Sequence, residues 1–415
     1  MEIRIPYGRT FEIRSVDPSR VMIPKTDELK SGKDGRTLVA EAMEAPIDSP
    51  RLRELAAGKR SAVIIISDHT RPVPSKDIIP LMLQELRTGN PGIDITLLVA
   101  TGCHRGTTPD ELRAKLGDEI VDNEKIAVHD CDDPSCVYMG DLPSGARFSV
   151  NRLAAETELL VAEGFIEPHF FAGFSGGRKS VLPGICARKT VLGNHCGAFI
   201  DDVQARTGIL DGNPIHRDMD RAAEMAKLAF IVNVVIDERQ QTVAAFAGNF
   251  RSAHRRGADF LMRYCGVKAI PGDIAVTSNG GAPLDQNIYQ CVKCMTAAEA
   301  VCRPGGTIIA LGECADGVGG DFFYRQLAEC ETPRQLYDRL AAVPMEETEP
   351  DQWQSQILAR ILDRCRVILV TRPELKETVR NMKMDWAPGL AEALDMAGEG
   401  EITWIPNGVS IVVTA

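Results

Sequence analysis

The sequence predicts an α/β protein of two domains with mainly parallel, Rossmann-like sheets. Three observations carry this. Short β-branched runs alternate with helical patterns from residue 60 onward, as parallel sheets covered on both faces require. The 415 residues suffice for two hydrophobic cores. Gly266 and Pro271-Gly272 punctuate the chain, which divides it into 1–268 and 269–415.

In chain order, Ser61 to Ser67 (SAVIIIS) reads as a buried parallel strand ending in Asp68-His69-Thr70-Arg71-Pro72, with a helix following near Pro74. Asp94 to Ala100 is a second strand, ending in Thr101-Gly102-Cys103-His104-Arg105-Gly106. Thr108 then caps a helix, with Pro109 first inside and Glu111 closing a capping box. Leu159 to Ala162 is a short third strand and Phe230 to Asp237 a fourth, with a helix over 250–265. The second domain reads as a strand at Asp273 to Thr277 and a helix from Gln286 to Cys302. Strands at Thr307 to Leu311, Arg366 to Thr371 and Val409 to Thr414 complete it.

Composition narrows the function. Apolar residues make up 44% and charged residues 25%, which excludes a largely disordered chain. The net charge of −11 and the lack of a basic stripe argue against nucleic acid. An anionic substrate must therefore find a few local cations. The first residues, MEIRIPYGRTFEIR, hold no apolar signal segment, and no apolar run reaches bilayer length. The twelve cysteines form no regular framework, so we expect a cytoplasmic chain with reduced thiols and no membrane association. Cys291-x-x-Cys294 lacks a second ligand pair and reads as core packing.

Ligands bind beyond the carboxyl ends of parallel strands. Four segments occupy such positions: 67–72 (SDHTRP), 101–108 (TGCHRGTT), 164–184 (GFIEPHFFAGFSGGRKSVLPG) and 278–293 (SNGGAPLDQNIYQCVK). Of the seven histidines, His69, His104 and His169 fall in three of these loops, and His195 follows the third. Gly173 to Gly177 could cradle a phosphate beside Arg178 and Lys179. The spacing is not that of a nucleotide-triphosphate loop, because Gly173 precedes Gly177 by four residues and Arg178 stands where the second glycine belongs. Neither early loop offers the glycine fingerprint of a soluble nicotinamide-dependent dehydrogenase. His104 and His169 could serve as acid and base on opposite sides of a substrate, while a structural role stays open for each. In Asn194-His195-Cys196 either the imidazole or the thiol could ligate a borderline metal, and spacing does not choose.

At these residues the chain resembles the nickel-pincer lactate racemase family. The resemblance rests on SDHTRPVP (67–74), ATGCHR (100–105), the whole of 164–184, NHC (194–196) and PLDQNIYQCVK (283–293), with PDQW (350–353) matching more weakly. It implies a racemase or epimerase of a small 2-hydroxy acid, with lactate the default substrate and the cofactor and active site in the cleft between the two domains. It implies a nickel-pincer nucleotide, a pyridinium-3,5-bisthiocarboxylic acid mononucleotide, covalently joined to Lys179, with His195 as nickel ligand. His104 and His169 become the acid/base pair. Arg71 and Lys293 would hold the substrate carboxylate, and Tyr289 would contact substrate. Asp68, Gln290 and Trp353 would line the cofactor pocket, with Ser175, Gly176 and Gly177 in the cradle. Catalysis would run by hydride abstraction and return through a 2-keto acid. Cofactor-making proteins are the implied partners. Alternatives are the same chemistry on malate or another larger 2-hydroxy acid, or a non-catalytic nickel- or phosphate-binding protein. A dicarboxylate would need a further cation, for which Arg105 and Arg178 are the neighbours in sequence.

Overall fold

The computed structural model describes all 415 residues, which divide into two compact units. The larger comprises Thr26–His195 and Gln204–Tyr264; the other comprises Met1–Lys25, Cys196–Val203 and Cys265–Ala415.

The larger unit holds a six-stranded sheet. Its spatial order is Thr242–Gly248, Leu228–Ile236, Leu159–Phe165, Ser61–Ser67, Asp94–Ala100 and Lys125–Val128. Every neighbouring pair is parallel except the first, where Thr242–Gly248 returns antiparallel. Buried apolar side chains such as Ile64, Ile66, Leu97, Val99, Val161 and Val232 form its core. The third strand runs three residues further than predicted, to Phe165, because GluGlyPhe continues the pairing toward Asn233 and Val234. From Ser61–Ser67 the chain goes first to one side of the sheet and later, at Leu159–Phe165, to the other. That reversal makes a topological switch point, where ligand crevices form. The loops leaving these two strands carry Asp68 and His169.

The other unit holds a five-stranded, wholly parallel sheet in the order Asp385–Ala387, Arg366–Val370, Cys302–Leu311, Gly272–Ser278 and Ile402–Ile405. Two features differ from the sequence reading. The segment predicted as a last strand over 409–414 is a strand only at Val412–Thr414, and it pairs with Gly266–Lys268 outside the main sheet. The edge is supplied instead by Ile402–Ile405, a run too short to stand out. The first 25 residues also group with this unit rather than with residues 26–195. The cause is apolar: Ile3 and Ile5 of the hairpin Glu2–Tyr7/Thr10–Ser15 are buried with Ile274, Val276 and Ile309.

Candidate active site

The first strand-end loop builds a carboxylate–imidazole pair. Asp68 follows Ser67, where the sheet ends, and its side chain is only 2% exposed. Its Oδ1 accepts from the Thr70 amide at 3.1 Å and the Thr70 hydroxyl at 2.7 Å, a local turn that fixes the carboxylate. Its Oδ2 stands 2.8 Å from His104 Nδ1, brought over from the loop after Asp94–Ala100. Burial pushes the carboxyl up, but the hydrogen bonds from His104 and Thr70 outweigh it and hold Asp68 below its ordinary value. A carboxylate at Nδ1 keeps a proton there and leaves Nε2 as the basic nitrogen of neutral His104. Asp68, expected to line a cofactor pocket, is thus occupied in orienting His104. Arg71 is exposed on the same loop, its backbone carbonyl held by Lys115 Nζ at 3.1 Å.

The second assembly is centred on Phe171, a residue the sequence reading passed over. This ring is buried, and three candidate residues surround it. The His169 ring meets it edge-on at 4.5 Å, the His195 ring edge-on at 5.1 Å, and Lys179 Nζ lies 5.8 Å from its centroid. His169 also stacks on Phe170 at 5.2 Å. The Ala172 amide donates to His169 Nδ1 at 3.3 Å, so neutral His169 carries its proton on Nε2. The two histidines therefore present opposite characters, Nε2 of His104 as a base and Nε2–H of His169 as a donor.

His195 ends the helix Arg188–Asn194 and is 5% exposed. Its Nδ1–H donates to the Val191 carbonyl at 2.9 Å. Burial, and then the nearby Lys179 charge, push its pKa down to about 3. A neutral imidazole anchored at Nδ1 presents its Nε2 lone pair, the form that ligates a metal. A thiol–carboxylate cluster stands elsewhere at Asp130, Cys131 and Asp132, but Arg188 engages Asp132 with two nitrogens at 2.7 and 2.6 Å. His195 belongs to no such trio within its unit, so a metal there would draw its other ligands from a bound group. That donor set fits a metal already chelated by an organic cofactor.

The glycine loop is less open than a phosphate cradle would be. The Gly177 amide donates to Asn233 Oδ1 at 2.7 Å, and the Ser175 amide to the Glu167 carbonyl at 2.9 Å. Ser175 Oγ donates to the Phe165 carbonyl and accepts from the Glu167 amide. The glycines answer to close packing. Gly176 and Gly177 have φ of +80° and +55°, and a Cβ on Gly177 would stand 2.8 Å from the His254 ring.

In the other unit, Asn287 caps the helix Ile288–Glu299 by accepting from the Gln290 amide at 2.9 Å. Tyr289 and Lys293, four residues apart, share a face of this helix with Gln290 between them. Tyr289 Oη donates to Asp351 Oδ1 at 2.9 Å, which ties this helix to Gln352–Arg364, the helix that carries Trp353. Burial raises the Tyr289 phenol, so it stays a neutral donor. Cys291 and Cys294 are wholly buried in the core.

His104 beside a carboxylate, and His169 and Lys179 around one ring, are side chains able to move protons in the loops of an α/β unit. Residues 7–208 match the model of the lactate racemase N-terminal domain, and residues 267–413 that of the lactate racemase C-terminal domain. The chain is 49% identical to the lactate racemase of Thermoanaerobacterium thermosaccharolyticum and 50% identical to that of Lactiplantibacillus plantarum. Each alignment covers 99% of both proteins. The structure of the lactate racemase apoprotein from T. thermosaccharolyticum superposes with a TM-score of 0.96, at 48% identity and full coverage of both chains. A Thermotoga maritima protein shares the fold, with a TM-score of 0.64 at 19% identity over 92% of this chain and 99% of its own. The chain belongs to the lactate racemase family and is an isomerase.

Proposed function

We propose that this chain interconverts the enantiomers of lactate with a nickel-pincer nucleotide covalently joined to Lys179 and its nickel ligated by His195. The observation that carries the reading is the complementary pair of histidines, one oriented as base and one as donor, in loops of the same unit. Family membership and the lactate racemases it resembles along its whole length support the substrate. When bound, the cofactor supplies a hydride acceptor, which no amino-acid side chain provides.

The residues of the chain do the rest. His104 Nε2 takes the hydroxyl proton as the C2 hydrogen departs, and Asp68 stabilises the resulting imidazolium across 2.8 Å. The organic product of that step is a planar 2-keto acid. For His169 to give a proton to the oxygen when hydrogen returns to the opposite face, it must first gain one at Nδ1, displacing the 3.3 Å contact from the Ala172 amide, so that the imidazolium releases Nε2–H and is left neutral. Arg71 and Lys293 hold the carboxylate, so the planar intermediate stays in place while its faces exchange. The resemblance assigns substrate contact to Tyr289 and cofactor contact to Gln290 and Trp353. The Gly176 carbonyl accepts from the Lys179 amide at 3.1 Å, and Ser175, Gly176 and Gly177 are the residues assigned to the cofactor beside it. Cofactor-making proteins are the partners this requires, and the setting that goes with them is cytoplasmic. No helix is long and apolar enough to cross a membrane.

Lactate is favoured over malate by what has happened to two cations. Arg105 is clamped by Glu111, with its two terminal nitrogens at 2.9 and 2.6 Å from the carboxylate. Arg178 is enclosed among backbone carbonyls and 1% exposed. Neither serves a second substrate carboxylate. The test is intact mass and nickel content of protein co-expressed with cofactor-making partners. We expect an added mass on the peptide containing Lys179 and about one nickel per chain, the single ligation that His195 permits. Unmodified, nickel-free protein from a competent host contradicts the proposal and favours a binding role.

A further inference from the structure

Arg178 is a buried cation with no carboxylate partner. Its pKa is pressed down to about 9 by burial, still leaving the guanidinium charged at neutral pH. Asp220, the acid whose charge reaches it, is engaged elsewhere, with Arg251 at 2.8 Å. Burying such a charge is unfavourable unless hydrogen bonds offset it.

The offset comes from one loop. Arg178 Nη2 donates to the Ala172 carbonyl at 2.7 Å, and Nη1 donates to the carbonyls of Phe174 at 2.8 Å and Gly176 at 3.3 Å. Its Nε donates to His216 Nδ1 at 2.9 Å. Burial and the Arg178 charge push His216 down to about 3, so it stays a neutral acceptor. With both Nη1 protons placed, His254 Nε2–H donates to the Ser175 carbonyl at 2.8 Å. Asn213 Nδ2 takes the Phe171 carbonyl at 2.9 Å and the Gly208 amide takes that of Gly173 at 3.0 Å. Every carbonyl from Phe171 to Gly176 is therefore held from behind, three of the six by one side chain. The Gly176 carbonyl also accepts from the Lys179 amide at 3.1 Å, which carries the restraint directly to the lysine.

We propose that Arg178 is the positioning residue for the lysine of this site: its guanidinium fork sets the 171–176 loop, and thereby Lys179 and the Phe171 ring, for cofactor attachment. This rests on the functional reading above. The attachment condenses the Lys179 amine with a thiocarboxyl group; one C–N bond forms, the carboxyl oxygen leaves as water, and no electrons are gained or lost. Lysine at 178 would keep the charge but lose the planar fork, so geometry and charge are separable.

The experiment is a time course of added mass at Lys179 when apoprotein is incubated with purified nickel-pincer nucleotide, well below its melting temperature. Wild type is compared with Arg178→Lys. We expect loading at least tenfold slower in the variant, per folded molecule. Equal loading rates overturn the inference and leave the functional reading intact, whereas wild type gaining no mass overturns both. If Arg178→Lys does not fold, His216→Ala removes only the Nε acceptor. Loading at least threefold slower supports the inference, and an unchanged rate overturns it.

Discussion

Replacing Asp68 with Asn changes one atom of a buried side chain and should silence His104 as a base. Oδ1 faces two donors from Thr70, one of them a backbone amide that cannot turn, so the Asn carbonyl oxygen must stay on that side. The Asn amide nitrogen then faces His104 Nδ1, where the carboxylate now stands at 2.8 Å. His104 must accept there, which moves its proton to Nε2, the nitrogen that has to be basic. Loss of a charge-assisted hydrogen bond is worth about 1.5–3 kcal/mol, roughly 10- to 150-fold in rate. Adding the loss of the base brings the expected fall in kcat to about 100- to 10,000-fold, with KM little changed. The assay is chiral quantification of lactate interconversion by protein matched for mass at Lys179, with nitrogen NMR of His104 to read its tautomer. Turnover within threefold of wild type, or an unmoved tautomer, refutes the reasoning.

Other outcomes follow from the same geometry. Phe171→Leu should cost about 1 kcal/mol of stability, read by denaturant melts, yet lower turnover far more than that loss explains, because three site residues lose their shared ring. Gly177→Ala should destabilise by about 1–2 kcal/mol or more, since φ is +55° and the His254 ring stands in the way. Glu163 is buried with Oε2 unpaired, and burial raises its pKa despite hydrogen bonds from Ser67 and Ser75 and the Lys115 charge. A folded pKa above the unfolded one makes its contribution complete at low pH and lost as pH rises through the folded value. Denaturation at pH 5 and pH 8 should show that slope in wild type, and Glu163→Gln should flatten it. Malate should be turned over at least about 100-fold less efficiently than lactate, since a buried polar mismatch is heavily penalised.

Much of this was legible in the sequence because strand ends are local facts. The β-branched run at 61–67 marked the loop after it as a strand's carboxyl end, and the histidines in these loops were conspicuous by number. What stayed hidden were relations between distant residues. Asp68 reads as a loop acid until the fold sets it against His104, 36 residues on. Phe171 sits among FFAGF and resembles core, and only ring geometry reveals it as the residue shared by His169, Lys179 and His195. Gly173 to Gly177 suggested bare amides, whereas Asn233 and Glu167 had already taken two of them. The hairpin at the N-terminus was missed because its inward face is only Ile3 and Ile5, too little for a periodic signal.

The central claim is that hydrogen leaves and returns at C2 without exchanging with water. The most direct test is conversion of L-lactate by the loaded enzyme in D2O, with chiral separation and mass analysis of both enantiomers. The account predicts D-lactate that retains its original C2 hydrogen. Deuterium appearing at C2 in step with inversion would mean proton abstraction by a side chain and would contradict it.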